Sequence, residues 1–275
     1  MKKRKHSLKS YMSQSRESSR IYLRSMHPDD FPEVIPFMDE SAQTNNFTKL
    51  FAKVPARYGP HFINAGYRIE AYIPYFYNGK EDALFLMKYF SDERKKPETA
   101  ELEAFQSILI VPRVDNPARL PDGYDLHPLD ETHVNQIVMV FKQVFKTYPF
   151  PIYDPEFILK TMHEHGTRYF GVFHQQTLIA VSSAECSDKG KNAEMTDFAV
   201  IPTHRGKRLA TCLLAFIEKE LTHIGYKTFY SIARLHSIPM NKTFYNMGYK
   251  YSGTLTKNTQ ISGKIESMNV WYKNL

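Results

Sequence analysis

A turn rich in basic residues joins a predicted strand to a long predicted helix late in the chain. The strand pattern ends at Val200, Pro202 prevents it from continuing, and apolar residues recur at helical spacing from Leu209. Backbone N–H groups at a helix start lack intrahelical partners and lie at the positive end of the helix dipole. Because the segment Arg205–Arg208 adds three positive charges, the turn is predicted to bind an anion.

The glycine content of this turn limits which anion it can bind. Its single glycine, Gly206, excludes the glycine-rich loops of P-loop and dinucleotide-binding proteins. The turn belongs to a strand–turn–helix unit late in a mixed sheet. Binding of a diphosphate by such a unit, without either glycine-rich loop, suggests that the ligand is coenzyme A. The residues expected to contact this cofactor belong to the strand end, the turn and the first helical turn: Phe198, Ala199, Val200, Arg205, Gly206, Lys207, Arg208, Leu209 and Ala210.

The elements around the turn predict a mixed α/β domain. From Tyr124 to Tyr272, strand-like and helix-like spacings alternate in the order βααβββαβαββ. A predicted hairpin centred on Gln175 and Gln176 precedes the strand that ends at Val200. We expect residues 119–275 to form the domain that contains the anion site.

The region before this domain repeats part of its order. Residues 62–68 match residues 244–250 at Phe, Asn, Gly and Tyr, and a basic residue follows in both. One explanation of this match is convergence: both segments end a helix with a glycine in the left-handed conformation. The alternative is duplication of half a domain. That interpretation predicts that residues 21–118, which end in a proline-rich connector with one helix, form a partial copy of the later domain.

The net charge of +7 arises at the N-terminus. The first 24 residues hold eight Lys and Arg residues and one acid, so the rest of the chain carries 28 charges of each sign. We expect residues 1–20 to form a basic, disordered tail. There are two alternatives. The tail could attract nucleic acid or anionic lipid weakly, or it could be an organelle transit peptide. The neutral body predicts neither a nucleic-acid partner nor a membrane partner.

Several other classes of protein are excluded by composition. No apolar run approaches the roughly 18 to 20 residues of a membrane-spanning helix. The two cysteines, Cys186 and Cys212, cannot form a disulfide framework, which favours a reducing, cytoplasmic compartment where both are small buried hydrophobes. His163 and His165 lack a matching pair of ligands, so no metal site is predicted.

The chain resembles a known superfamily. Residues 205–210 are similar to the pyrophosphate-binding loop of the GNAT acetyltransferases, and the element order from Tyr124 to Tyr272 fits the GNAT fold. Arg208 departs from the pattern, because the family usually has glycine at this position. Several patches, which cover nearly the whole chain after the tail, resemble the β-lysine N-acetyltransferase family: residues 49–55, 66–67, 70–71, 76–82, 194–198, 248–250 and 266–272.

This resemblance implies a fold, a cosubstrate and a substrate. The implied fold is a GNAT domain preceded by a partial GNAT-like domain. The implied reaction is direct attack of an amine on the thioester of acetyl-CoA, without a metal. The implied amine is the side-chain amine of β-lysine, and the product N6-acetyl-β-lysine is a compatible solute or a catabolic intermediate.

The reaction needs a base, because an alkyl ammonium with a pKa near 10.4 is neutral in only about one molecule in 2,500 at pH 7. The resemblance implies that Glu194 is this base, since family members often have one at this strand position. Asp197 is the second candidate, as base or as ammonium anchor, although strand alternation places it on the opposite face. Glu266 is expected to form a cross-strand salt bridge or to help bind an ammonium.

The remaining roles also follow from the resemblance. A strand N–H near Ala199 or Val200 is expected to stabilise the oxyanion if the strand separates from its neighbour, as in the family. Tyr245 is the candidate general acid, although the family has its tyrosine one residue earlier, where this chain has Phe244. Asn241 is a candidate cofactor contact.

Three alternatives remain open at this point. The amine can be lysine or a polyamine instead of β-lysine. Arg208 and Phe244 are also compatible with a regulator that binds acyl-CoA without catalysis. The N-terminal half can complete the substrate pocket or form the face of a homodimer.

Overall fold

The computed structural model describes residues 8–114, 117–261 and 263–275. Its N-terminal part is a five-stranded sheet with two helices on one face. The helices are Val34–Thr44 (α1) and Gly59–Asn64 (α2). The strands are Tyr11–Ser15 (β1), Arg20–Ser25 (β2), Lys49–Pro55 (β3), Arg68–Tyr77 (β4) and Glu81–Tyr89 (β5). Their spatial order is β1-β2-β3-β5-β4.

The connector after β5 contains two helices, Asp92–Lys95 (α3) and Thr99–Leu109 (α4), where the sequence predicted one. Phe105 and Ile108 of α4 belong to the hydrophobic core of the C-terminal half, and the Phe105 ring lies 5.9 Å from that of Trp271. The predicted boundary after residue 118 is therefore wrong for α4, which packs with the later domain. The amphipathic spacing predicted a helix but not the surface on which it packs.

The C-terminal part is a seven-stranded mixed sheet with helices on both faces. Its strands are Tyr124–Leu129 (β6), Thr167–His174 (β7), Thr177–Ser187 (β8), Asn192–Val200 (β9), Thr228–Arg234 (β10), Lys250–Ile261 (β11) and Lys264–Asn274 (β12). Its helices are Val134–Val144 (α5), Pro155–Glu164 (α6), Leu209–His223 (α7) and Ile238–Asn246 (α8). The spatial order is β11-β12-β10-β9-β8-β7-β6, with β9 and β10 parallel. The predicted element order and the predicted mixed α/β fold class are confirmed.

The N-terminal tail is ordered over most of the range predicted to be disordered. β1 pairs antiparallel with β2, and the backbone N–H of Ser10 donates to Asp30 at 2.6 Å. Arg20 is only 6% exposed. The prediction failed because β1 is an edge strand in which Ser and Gln supply three of the five residues, so it lacks the apolar alternation that reveals a strand. The cluster Lys2–Lys5 lies outside the described residues.

The two sheets meet where β4 crosses β11. The Ser252 hydroxyl donates to the carbonyl of Tyr72 at 2.6 Å and accepts from its N–H at 2.8 Å. A Cβ added to Gly253 would lie 1.9 Å from the carbonyl oxygen of Glu70, so only glycine permits this close approach. One hydrophobic core cluster contains residues of both halves, among them Phe51, Phe76, Tyr230, Leu255 and Met268. The halves therefore share a continuous interface.

The N-terminal sheet repeats the topology of five strands of the C-terminal sheet. The order β1-β2-β3-β5-β4 corresponds to β8-β9-β10-β12-β11, and the parallel pair is β2 with β3 in one copy and β9 with β10 in the other. In both repeat motifs the tyrosine N–H after the glycine donates to the phenylalanine carbonyl, Tyr67 to Phe62 at 3.0 Å and Tyr249 to Phe244 at 3.1 Å. Duplication of a half-domain would produce this correspondence.

Candidate active site

The parallel strands β9 and β10 separate in the middle of the C-terminal sheet. They pair only between residues 192–194 and residues 228–230, although β9 continues to Val200. A β-bulge interrupts the pairing of β9 with β8, because Thr196 is opposite Ser183 but Ala199 is opposite Val181. Asp197 lies in this bulge with a φ of 56°, in the left-handed region. A wedge therefore opens between β9 and β10 beyond Glu194.

A cavity of about 840 Å³ adjoins these residues and lies between the two halves of the molecule. The C-terminal half contributes β9 and the segment after α5, which includes Tyr148 and Phe150. The N-terminal half contributes β1, β2 and β3. Both candidates for the base, Glu194 and Asp197, line the cavity. The cavity therefore exists only where the two halves are assembled.

Glu194 has the properties of a general base. Its side chain is buried, and burial together with the neighbouring Glu185 carboxylate raises the pKa of Glu194 to about 7. The positive charges of Lys53 and Arg24 oppose this rise. A carboxylate that titrates near neutral pH can collect a proton from an ammonium better than one with an ordinary pKa.

Asp197 is held in place by two hydroxyl groups. Ser183 donates to one carboxylate oxygen at 2.5 Å, and the Tyr148 hydroxyl donates to the other. Burial raises the pKa of Asp197, although these hydrogen bonds oppose the rise. The expectation that Asp197 lies on the face opposite Glu194 is wrong, because the bulge changes the alternation of side chains along β9.

The wedge exposes one backbone N–H at the end of β9. The N–H of Ile201 donates to the carbonyl of Ile179 on β8 at 3.0 Å. Because N–H groups alternate in direction along an antiparallel strand, the N–H of Val200 points away from β8 and into the wedge. The carbonyl of Val200 has the same direction and accepts from Arg205 Nε at 3.1 Å. Of the two N–H groups predicted for the oxyanion, Val200 has the suitable direction.

The basic turn leads directly into α7. Arg205, Gly206 and Lys207 are exposed, Leu209 is buried and Ala210 is half-buried. Gly206 has a φ of 80°, so glycine is required for its backbone conformation. Arg208 has a φ of 59°, and therefore adopts the left-handed conformation for which glycine would be the usual residue, at a cost of about 1 to 2 kcal/mol. The first turn of α7 contains no acidic residue. The turn fits a bound diphosphate.

The N-terminal half supplies cavity residues to which the sequence assigned no role. Lys53 Nζ lies 2.6 Å from the Tyr230 hydroxyl, and burial lowers the pKa of Lys53 to about 8. Arg24 forms an ion pair with Glu185 across the interface of the two halves. Lys53 is one of two lysines in the mostly apolar strand β3, and this was the available signal for it. No local pattern marked Arg24, because its partner lies far away in sequence.

Two predicted site residues have structural roles instead. The Tyr245 hydroxyl donates to the carbonyls of Leu109 and Val111, so its prediction as the general acid is wrong. The extra residue relative to the family pattern rotates its side chain by about 100° on α8, toward the connector.

Asn241 is fully buried, and its side chain makes five hydrogen bonds within the protein, so its prediction as a cofactor contact is wrong. Its amide group joins β10 to β12, since it donates to the Arg234 carbonyl and accepts from Trp271 Nε1 at 2.8 Å. Glu266 accepts two hydrogen bonds from Arg234, both at 2.7 Å, which confirms the predicted cross-strand salt bridge.

The arrangement of potential metal ligands and the apolarity of the helices bear on two further predictions. Within the residues that the structure describes, no group of three or more His, Cys, Asp and Glu side chains is arranged to hold a metal ion. His163 instead pairs with Glu131 at 2.7 Å. None of the described helices is both long enough and apolar enough to cross a membrane.

Comparisons with known proteins agree with this geometry. Residues 135–249 match the family model of the acetyltransferase (GNAT) family. The β-lysine N(6)-acetyltransferase of Methanococcus maripaludis is 37% identical over 257 residues, which is 93% of each chain. The N-acetyltransferase YodP of Bacillus subtilis is 31% identical over 88% of each chain, and the β-lysine N(6)-acetyltransferase of Methanosarcina mazei is 34% identical over 58% of each.

The first of these alignments extends beyond the GNAT domain. An alignment of 257 residues cannot fit between residue 135 and the C-terminus, so it also includes most of the N-terminal half. The family resemblance inferred from the sequence is confirmed. On this similarity, together with the wedge, the basic turn and the mixed sheet, the chain belongs to the GNAT family of acetyltransferases and is an N-acetyltransferase.

Proposed function

We propose that this chain transfers the acetyl group of acetyl-CoA to the side-chain amine of β-lysine, giving N6-acetyl-β-lysine. The observation that carries the proposal is the buried Glu194 carboxylate, with a pKa near 7, beside the wedge in a cavity that both halves enclose. The similarity over 93% of a β-lysine N(6)-acetyltransferase supports the choice of amine.

The cosubstrate binds at the basic turn in this proposal. The diphosphate lies at the start of α7, where backbone N–H groups and the side chains of Arg205 and Lys207 supply positive charge. The pantetheine arm enters the wedge between β9 and β10, where the thioester carbonyl accepts from the Val200 N–H. This arrangement requires Arg205 to exchange its hydrogen bond to the Val200 carbonyl for the phosphate.

The substrate amine enters from the cavity. Glu194 accepts a proton from the ammonium, either directly or through water, and the neutral amine then attacks the thioester carbon. Asp197 anchors the ammonium before this transfer. The C–N bond forms, the C–S bond breaks, and the thiolate leaves. The attacking nitrogen loses its second proton as the amide forms. Since Tyr245 is held by the connector, water carries this proton to the thiolate, whose conjugate acid has a pKa near 8.5.

A steady-state assay with a panel of amines tests the proposal. We expect the purified chain to acetylate β-lysine with a kcat/KM at least tenfold above that for lysine or spermidine, and mass spectrometry to place the acetyl group on N6. Preference for lysine or a polyamine would overturn the choice of substrate. Binding of coenzyme A without transfer to any amine would identify a regulator instead.

A further inference from the structure

Arg20 is a buried cation of the cavity that has no counter-ion among the described residues. Arg20 is 6% exposed, lies on β2 and lines the cavity. Its Nη1 donates to the Asn258 carbonyl at 2.9 Å and to Thr259 Oγ1 at 3.0 Å. Among the residues that the structure describes, none accepts a hydrogen bond from Nε, and no carboxylate lies within salt-bridge distance of the guanidinium. Burial, without a paired acid, lowers the pKa of Arg20 to about 10.

The other cations of the cavity have partners that Arg20 lacks. Arg24 is paired with Glu185. Lys53 has no carboxylate within salt-bridge distance among the described residues, but its Nζ donates to the Tyr230 hydroxyl, and its pKa is lowered to about 8, so it loses its proton more readily than a guanidinium does. A buried charge without a partner is costly, and proteins retain one mainly where a ligand supplies the opposite charge. Arg20 therefore marks a place for an anion at the N-terminal wall of the cavity.

Two further polar groups near Arg20 lack partners. The hydroxyl of Tyr22 and Oδ1 of Asn258 are buried without a hydrogen-bond partner among the described residues, and both side chains line the cavity. The Arg20 guanidinium lies 5.5 Å from the centre of the Tyr22 ring, and it binds the Asn258 backbone directly. The three side chains thus supply a cation with unused donors, a hydroxyl donor and an amide acceptor in one place.

We infer that Arg20, Tyr22 and Asn258 form a subsite for the carboxylate end of an amino-acid substrate, opposite the acetylated amine. The carboxylate accepts from the free edge of the Arg20 guanidinium and from the Tyr22 hydroxyl. The second amine, which β-lysine carries on its β-carbon, donates to Asn258 Oδ1. A guanidinium edge matches a carboxylate with two parallel hydrogen bonds, which fixes the orientation of the substrate as well as its charge.

The subsite explains what the N-terminal half contributes to the reaction. Glu194 on β9 serves the amine that reacts, while β2 of the N-terminal half binds the end that does not react. Tyr22 and Arg20 are close enough to Glu194 for its charge to affect the pKa of both. The inference rests on the proposed function, since it specifies how an acetyltransferase of amino acids rejects simple diamines.

Three substrates separate the contributions of the carboxylate and of the second amine. β-Lysine carries both groups, 6-aminohexanoate lacks the second amine, and 1,4-diaminopentane lacks the carboxylate. The kinetic constants of each are measured for the wild type and for Arg20→Gln, Tyr22→Phe and the control Arg16→Gln, which changes an exposed arginine on the same segment.

Arg20→Gln is expected to lower kcat/KM for β-lysine and 6-aminohexanoate by roughly 10- to 100-fold, mainly through KM, because a charge-assisted hydrogen bond is lost. The value for 1,4-diaminopentane should change by less than about twofold, since that substrate has no carboxylate to lose. The KM for acetyl-CoA should also stay the same, which distinguishes a substrate carboxylate from a phosphate of the cosubstrate. Tyr22→Phe should have the same selectivity with a smaller effect, and Arg16→Gln should have none.

An equal loss for all three substrates, or a change in the KM for acetyl-CoA, would contradict the subsite. If Arg20→Gln does not fold, Tyr22→Phe, which removes one hydroxyl, decides the question by the same comparison. If the wild type does not acetylate β-lysine but acetylates another amino acid, the proposed function fails. The comparison of that amino acid with its decarboxylated form then tests the subsite. Activity restricted to amines without a carboxylate would overturn both.

Discussion

The two copies of the β-strand pattern can be compared residue by residue. In the C-terminal copy, Glu194 on β9 is opposite Tyr230 on β10, which is opposite Tyr272 on β12. In the N-terminal copy, Tyr22 on β2 is opposite Phe51 on β3, which is opposite Met87 on β5. The tyrosine of one copy thus occupies the place of the base in the other.

The helix starts that follow these strands differ in charge. After β9 the turn contains Arg205, Lys207 and Arg208, whereas the corresponding segment after β2 contains Asp29, Asp30 and Glu33. Acidic residues at a helix start compensate the helix dipole but repel a diphosphate. The strands differ as well, because β2 continues for only two residues beyond its pairing with β3, whereas β9 continues for six residues beyond its pairing with β10.

The comparison shows how one fold can serve two purposes. The C-terminal copy keeps a wedge, a basic turn and a buried carboxylate, which bind the cosubstrate and transfer the acetyl group. The N-terminal copy has neither the wedge nor the basic turn, and Tyr22 occupies the position of the buried carboxylate. This copy therefore supplies a wall of the cavity. Three experiments test this division of roles between the two copies.

The largest effect is expected at the base. Glu194→Gln should lower kcat at pH 7 by about 10² to 10⁴, the usual contribution of a general base. Because the pKa of Glu194 is raised to about 7, wild-type kcat/KM should rise with pH through 7 as the carboxylate ionises. The variant should lack this step and regain activity only as the pH approaches the substrate pKa near 10.4. The measurement is a pH–rate profile with saturating acetyl-CoA.

The control for this experiment is Glu103→Gln, which removes an exposed carboxylate on α4. It should leave both kcat and the pH profile unchanged. A Glu194→Gln enzyme that retained the step near pH 7 would assign the base to another group, with Asp197 the next candidate.

A smaller effect is expected at the basic turn. The double substitution Arg205→Gln and Lys207→Gln should raise the KM for acetyl-CoA by roughly 10- to 100-fold through loss of charge-assisted contacts. The KM for the amine should change little, because the turn does not line the cavity. Initial-rate kinetics with each substrate varied in turn measures both constants.

Lys219→Gln is the matched control for the turn, since it removes an exposed positive charge further along α7. If it raised the KM for acetyl-CoA as much as the double substitution does, general attraction rather than a defined diphosphate site would explain the result. Higher ionic strength should weaken acetyl-CoA binding to the wild type more than to the double variant.

The smallest effect is expected at the glycines of the repeat. Gly66 and Gly248 have φ values of 87° and 84°, and a Cβ at either would meet no atom closer than 3.7 Å. Alanine should therefore cost only the left-handed conformation, about 1 to 2 kcal/mol of unfolding free energy at each position. Urea denaturation of Gly66→Ala and Gly248→Ala measures this. Costs that differ by much more than 1 kcal/mol would show that the two helix ends are not equivalent.

Much of the fold could be predicted because its signals are local. Apolar spacing defined the strands and helices from Tyr124 onward, and glycine or proline marked their ends. The basic turn and the repeat were visible for the same reason. β1 was missed because its residues do not alternate between apolar and polar. The partner of α4 was missed because an apolar face does not specify what covers it.

The residues of the candidate site were likewise placed correctly only where a local signal marked them. Glu194 was found through its strand position in a known family, and it lies in the cavity. Asp197 was placed on the wrong face because a bulge is a property of two paired strands. Asn241 and Tyr245 were misassigned because hydrogen bonds to distant carbonyls and to Trp271 decide where their side chains lie.

The amino-acid sequence was enough to predict the elements, the family and the anion-binding turn, since each depends on residues that are neighbours along the chain. The position of the cavity between two copies of one pattern became visible only in the folded molecule. The tertiary structure also raised the pKa of Glu194 and left Arg20 without a counter-ion among the described residues. Burial and charge pairing depend on residues more than a hundred positions apart, such as Arg24 and Glu185, and no local pattern encodes such pairs.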